Sequence, residues 1–177
     1  MATRARTRPT GQTMKIAVAN RFGGVLPAGI SAVRSAAAFF AGKAEALAAR
    51  RGMETLESVL VVLHGDRASA AAHAAVMGVA GPTDVITLRY CATPAQGAHG
   101  ELLVNPAEAV RQAERRGAKD GPPLLPQEKD APWSAAHELM LYIAHGFDHL
   151  AGSDDAAAAG FRAMRLRELR WLDALGL

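Results

Sequence analysis

The sequence predicts an α+β fold: a single domain in which a mixed sheet of about four strands is covered by about five helices, with a metal site on a helix in the C-terminal half. Three observations lead there. Short β-rich runs interleave with longer, alanine-rich stretches of helical periodicity over the earlier part of the chain. The end of the chain carries helical patterns alone, so the strict βα alternation of a wholly parallel sheet is broken. Finally, 177 residues, 50% of them hydrophobic, suffice for one core, and a lone cysteine, Cys91, excludes an internal disulfide.

Taken in order, the alternation of Ile16 and Val18 predicts a short first strand, and Ser31 to Arg51 predicts a helix through Val33, Phe40 and Leu47, closed by Gly52. Glu57 to Leu63 reads as a strand too apolar to be exposed on one face. Ala68 to Val76 is expected to be helical and to end before Gly81-Pro82. Asp84 to Tyr90 alternates like a half-buried strand, Ala92 to Gly100 is expected as a loop, and Glu101 to Val104 as a short strand. Asn105-Pro106-Ala107-Glu108 opens a helix that ends near Gly117: asparagine caps, proline suits the first turn, and Glu108 is placed to bond back to the cap. Lys119 to Pro132 holds four prolines and is expected to be an ordered loop. Trp133 to Leu150 and Asp155 to Leu175 follow as helices, the second with Phe161, Met164, Leu169 and Leu172 as its apolar stripe. Trp133 and Trp171 are expected to anchor the core, Cys91 to pack at a strand end, and Asp148 to face solvent.

Charge is uneven along the chain. Seven basic residues precede the first acid, Glu45, whereas the remainder carries an acidic excess, leaving a formal net charge of +3. Residues 1–13 are expected to form a disordered basic arm and 14–177 the folded domain. The arm has no apolar stretch to serve as a secretory signal core, and no apolar run approaches the ~18 residues of a membrane span, so a cytoplasmic protein is expected.

The chemistry concentrates in His145 to Asp155, H-G-F-D-H-L-A-G-S-D-D. His145 and His149, four apart, project from one helix face, and Gly152 lets the chain turn back so that a carboxylate completes a set of three ligands. Asp155 is well placed for this, with Asp154 as its near competitor. Two histidines and a carboxylate leave one coordination position open, as catalytic zinc sites do. His137-Glu138 begins like the H-E-x-x-H motif of zinc peptidases, but position 141 is leucine and Gly146 occupies the place of the general-base glutamate. Thr83 and Asp84, beside the Gly81-Pro82 turn, suit either substrate contact or turn hydrogen bonds.

These segments resemble the YbeY family, metal-dependent endoribonucleases specific for single-stranded RNA in ribosomal RNA maturation, with the signature H-G-x-L-H-L-x-G-Y-D-H. Pro82 to Leu88 (P-T-D-V-I-T-L) resembles the family's P-T-D-V-L-S-F strand, and Gly100 to Val104 (G-E-L-L-V) its G-D-I-V-I strand. Met164, Glu168, Trp171, Leu172 and Leu175-Gly176 are similar to its closing M-x-x-x-E-x-x-I-L-x-x-L-G pattern. The resemblance implies a cytoplasmic hydrolase acting near the small ribosomal subunit on single-stranded RNA rather than DNA. It further implies one zinc ion on His145, His149 and Asp155, with His145 in the catalytic centre. Asp155 stands where the family has its third histidine, Ser153 where it has tyrosine, Asp148 where it has leucine, and Met77 where it has a phosphate-gripping arginine. Arg67 and Arg89, with Thr83 and Asp84, are the candidates left for binding substrate. The Met77 departure implies weak nuclease activity with metal affinity intact. It also frames an alternative, a ribosome-associated RNA-binding factor with a structural metal and decayed nuclease activity.

Overall fold

A computed structural model describes residues 13–117 and 133–177. The arm expected over 1–13, apart from Thr13, and the loop expected over Lys119 to Pro132 lie outside the described residues. Four strands form one mixed sheet: β1 (Lys15–Asn20), β2 (Ser58–Leu63), β3 (Val85–Tyr90) and β4 (His99–Val104). Their spatial order is β1-β2-β4-β3, with β1 and β4 parallel to β2 and β3 antiparallel to β4. Five helices are described: α1 (Ile30–Arg50), α2 (Asp66–Met77), α3 (Pro106–Gly117), α4 (Ala135–Leu150) and α5 (Ala158–Leu175).

The chemistry of each segment explains its element. β2 buries Val59, Val61, Val62 and Leu63, as expected for a β-branched strand paired on both edges. α1 turns Val33, Ala37, Phe40, Ala44 and Leu47 inward, a stripe at helical spacing that packs along β1. α3 begins as its sequence implies, Asn105 accepting the Ala107 N–H at 3.2 Å, but the Glu108 carboxylate is drawn to Arg111 and Arg115. α4 starts at Ser134, whose hydroxyl accepts from the His137 N–H while the His137 ring reaches back, a histidine version of the capping box.

α4 is the core helix. Leu139, Leu141, Ile143, Ala144 and Phe147 are fully buried, and the helix crosses β3 and β4 while touching α1. Close approach depends on Gly146: a Cβ there would sit 2.7 Å from the Leu102 side chain of β4. Glycine at this point therefore sets the distance between the metal-motif helix and the sheet.

Three expectations are corrected. β4 starts at His99 instead of Glu101, because pairing with Tyr90 extends the ladder into the expected loop. The buried face of α5 is Met164, Glu168, Trp171 and Leu172, while Phe161 is 44% exposed; an acid occupies the stripe because its carboxylate has a partner inside. Cys91 is exposed, since β3 ends at Tyr90 and the thiol lies beyond the last paired residue.

Candidate metal centre

The last turns of α4 carry His145 and His149, and the segment between α4 and α5 brings Asp155 to them. Gly152 makes this possible: its φ of +79° is a left-handed conformation in which a side chain is strained, and it turns the chain straight off the helix end. His145 Nε2 lies 3.0 Å from His149 Nε2 and 3.5 Å from Asp155 Oδ2, and His149 Nε2 is 3.7 Å from Asp155 Oδ1. Among the described residues this is the one group of three that brings His, Cys, Asp or Glu ligand atoms within 4.8 Å of one another. Two bonds of ~2.0–2.1 Å meeting at a tetrahedral zinc place their donor atoms ~3.3 Å apart, so the three separations bracket what one ion requires. Asp154 is engaged locally, its Oδ1 accepting the Ala156 N–H at 3.0 Å.

Each ring is held from behind. His145 Nδ1 donates to Glu168 Oε1 at 2.7 Å, and His149 Nδ1 donates to the Ser153 carbonyl at 3.0 Å. With a carboxylate and a carbonyl taking the Nδ1 protons, both Nε2 atoms present lone pairs toward Asp155. Three acceptors then converge with no donor between them, an arrangement that a cation satisfies. Burial disfavours charge on His145. The Glu168 hydrogen bond, with the negative charges of Glu168, Asp84 and Asp155, outweighs this and raises its pKa above the ordinary imidazole value. The same field attracts a metal cation.

The turn is braced by polar side chains. Asp148 is fully buried, and Arg167 grips it with Nε and Nη2 at 2.7 and 2.9 Å. The Ser153 hydroxyl bonds Asp148 and accepts from Arg167 at 2.9 Å and Arg51 at 2.8 Å. Asp148 thus departs from the solvated acid that its charge suggests, because α5 brings it a guanidinium. Sequence reasoning also passed over Glu168 as a site residue. Its signal is an acid on an otherwise apolar helix face, between Met164 and Trp171.

A cavity of about 650 Å³ opens at the histidines, and His73, Met77, Thr83, Asp84, Arg89 and Asp155 are among the residues lining it. Thr83 and Asp84 are therefore beside the centre, with their side chains joined: Thr83 Oγ1 donates to Asp84 Oδ1 at 3.0 Å, and the same oxygen accepts the Val85 N–H at 2.7 Å. Arg89 borders the cavity, yet its guanidinium donates to the Leu150 carbonyl at 2.7 Å and to the Glu54 carbonyl, fastening the end of α4 to the segment before β2. Arg67 is elsewhere, exposed on the first turn of α2 beside Arg21 in a separate depression. Met77 is 64% exposed at the cavity.

Fold and site together define an α+β protein whose buried helix ends in two histidines that form, with Asp155, a candidate metal-binding group beside an open cavity. Comparison with known proteins gives the same placement. The family profile Endoribonuclease YbeY matches residues 32–176, and the chain belongs to the YbeY family. It is 32% identical over 96 residues to a protein of Rhodopirellula baltica named Endoribonuclease YbeY, a stretch covering 54% of this chain and 42% of that one. To the Endoribonuclease YbeY of Moorella thermoacetica it is 29% identical over 143 residues, 75% of this chain and 82% of the relative.

Proposed function

We propose that the protein is a metal-dependent endoribonuclease that hydrolyses phosphodiesters of single-stranded RNA, with ribosomal RNA at the small subunit as its substrate and the cytoplasm as its place of work. The observation that carries this reading is the convergence of two oriented Nε2 lone pairs and the Asp155 carboxylate beside an open cavity. One zinc ion per chain suits two imidazoles and a carboxylate, and when bound it supplies a Lewis acid for the phosphoryl group and lowers the pKa of water. This chain's residues do the rest. His145 and His149 would hold the ion in one ring tautomer each, Asp155 would offset its charge, and Thr83 and Asp84, which line the same cavity, would position the strand. Among the described residues no helix is long and apolar enough to cross a membrane.

The exposed Met77 thioether supports a second reading, an RNA-binding factor with a structural ion, because the position bordering the cavity brings no cation to a phosphate. Metal analysis and a cleavage assay on single-stranded RNA separate the two. The nuclease reading expects about one zinc per chain, chelator-sensitive cleavage, and loss of both ion and cleavage in His145→Ala. An ion retained without cleavage favours the binding factor, and cleavage undiminished in His145→Ala overturns the nuclease.

A further inference from the structure

A phosphate brought into the cavity at the histidines meets carboxylates, since Asp84, Asp154 and Asp155 all line it. A cation on the wall offsets them, and the lining side chains able to carry positive charge are Arg89, His145, His149 and His73. Arg89 directs both terminal nitrogens to carbonyls, those of Leu150 and Glu54. His145 and His149 turn their Nε2 atoms toward Asp155. His73 is left. It stands on α2 four residues before the exposed Met77, which lines the same cavity, so the two share a helix face. Its Nδ1 donates to the Gly81 carbonyl at 2.9 Å, a bond that fixes the ring and keeps a proton on Nδ1. Nε2 has no hydrogen-bond partner among the described residues and is not buried, so a group entering the cavity can reach it.

We propose that His73 is a phosphate-binding residue: as the imidazolium it donates Nε2–H to a non-bridging oxygen of the RNA backbone, bringing from α2 the positive charge that Met77 does not. The inference rests on the RNA reading above and names a backbone contact of that same site. Because Nδ1 is committed to a carbonyl, Nε2 carries a hydrogen only when the ring is charged; in the neutral ring it presents a lone pair, which a phosphate oxygen repels. The contact therefore exists in one charge state and is lost in the other. The charged and titratable groups that share the cavity with the ring are Asp84 before β3, Arg89 on β3, His145 and His149 on α4, and Asp154 and Asp155 on the turn after it. The turn from Gly78 to Pro82, which holds Nδ1, carries no charge. On α2 itself Asp66 and Arg67 lie in the first turn, Asp66 paired with Arg111.

The test is binding of a dye-labelled oligouridylate to the full chain, followed by fluorescence anisotropy before turnover, over a series of salt concentrations. Two conditions are compared, about pH 6 and about pH 8, on either side of the ~6.5 at which a free imidazole titrates. His73→Gln keeps a donor for Gly81 and carries no charge. At the lower pH it is expected to bind ~10-fold more weakly than the parent, with a salt slope shallower by ~0.7, one phosphate contact fewer on a single strand. At the higher pH the two are expected to coincide. His145 and His149 are present in both proteins, so the difference belongs to residue 73. His73→Arg, charged in both conditions, is expected to bind at the higher pH as tightly as the parent does at the lower. A loss in His73→Gln that is equal at both pH values and leaves the salt slope unchanged is structural and overturns the proposal. Equal binding by parent and His73→Gln at the lower pH overturns it too, while leaving the nuclease to its own cleavage assay. Failure of the parent to bind the strand in either condition overturns the contact together with the RNA reading.

Discussion

An imidazole offers a cation whichever nitrogen its hydrogen-bond partner leaves bare, so Glu168 and the Ser153 carbonyl decide the chemistry of His145 and His149 without joining the triad. The third member is tested most directly by metal affinity, measured by chelator competition. Asp155→Ala is expected to weaken binding at least ~10-fold and Asp155→His to retain it, while Asp154→Ala leaves it unchanged. A loss confined to the Asp154 variant would shift the ligand by one residue. At the cavity, Met77→Arg is expected to raise cleavage of single-stranded RNA by ~10²-fold, as a guanidinium aimed at a phosphoryl group commonly does, with metal affinity unchanged. Unaltered turnover in that variant shows that the position does not reach the phosphate. Spacing made legible two histidines joined by a carboxylate of the following turn, with Asp154 still competing, because the span from His145 to Asp155 is one helix end and its turn; the structure groups Asp155 with the histidines. Glu168 was not legible as a site residue, since its meeting with His145 depends on how α5 docks against α4.

Between elements, the contacts that hold the centre are polar where a hydrophobic seam would be expected. α5 presents Arg167 to the buried Asp148 of α4, and the Ser153 hydroxyl of the connecting turn bonds both, so helix docking and ligand placement are mechanically one event. Arg167→Met strands a buried carboxylate and is expected to reduce unfolding stability by ~3–5 kcal/mol, read from the urea midpoint. The double variant Arg167→Met with Asp148→Leu is expected to recover most of that loss, because it removes the charge that lacked a partner. Failure of the second change to restore stability would show that the pair contributes more than charge balance. Most elements were legible from periodicity, capping and Gly or Pro punctuation. The start of β4 and the inner face of α5 were not, because a strand partner fixed the one and a buried histidine the other.

Across the molecule, Asp66 ties fold stability to acid. Hydrogen bonds from Arg111 and then Asn105 hold its pKa at about 2, against the opposing effect of burial. A depressed carboxyl pKa stabilises the fold above the unfolded value of ~3.9, and the contribution disappears as pH falls through the folded one. Stability is therefore expected to decline between about pH 4 and pH 2, and Asp66→Asn to flatten part of that decline by at most ~1 kcal/mol, since the pair is partly exposed. An identical acid profile in the variant would remove Asp66 from the account. The sheet order has a temporal consequence. β2 is paired on both sides with strands distant in sequence, Lys15 meeting Ser58 and Ser58 meeting His99, so neither ladder closes until a long intervening chain has been gathered. Such non-local pairing slows folding, and a nascent chain emerging from the ribosome cannot complete its sheet before Val104 is released. The segment bearing His145 and Asp155 is made later still. Pulse-labelled amide exchange during refolding is expected to protect β2 and α1 before α4 and α5, and earlier protection of α4 would reverse that order.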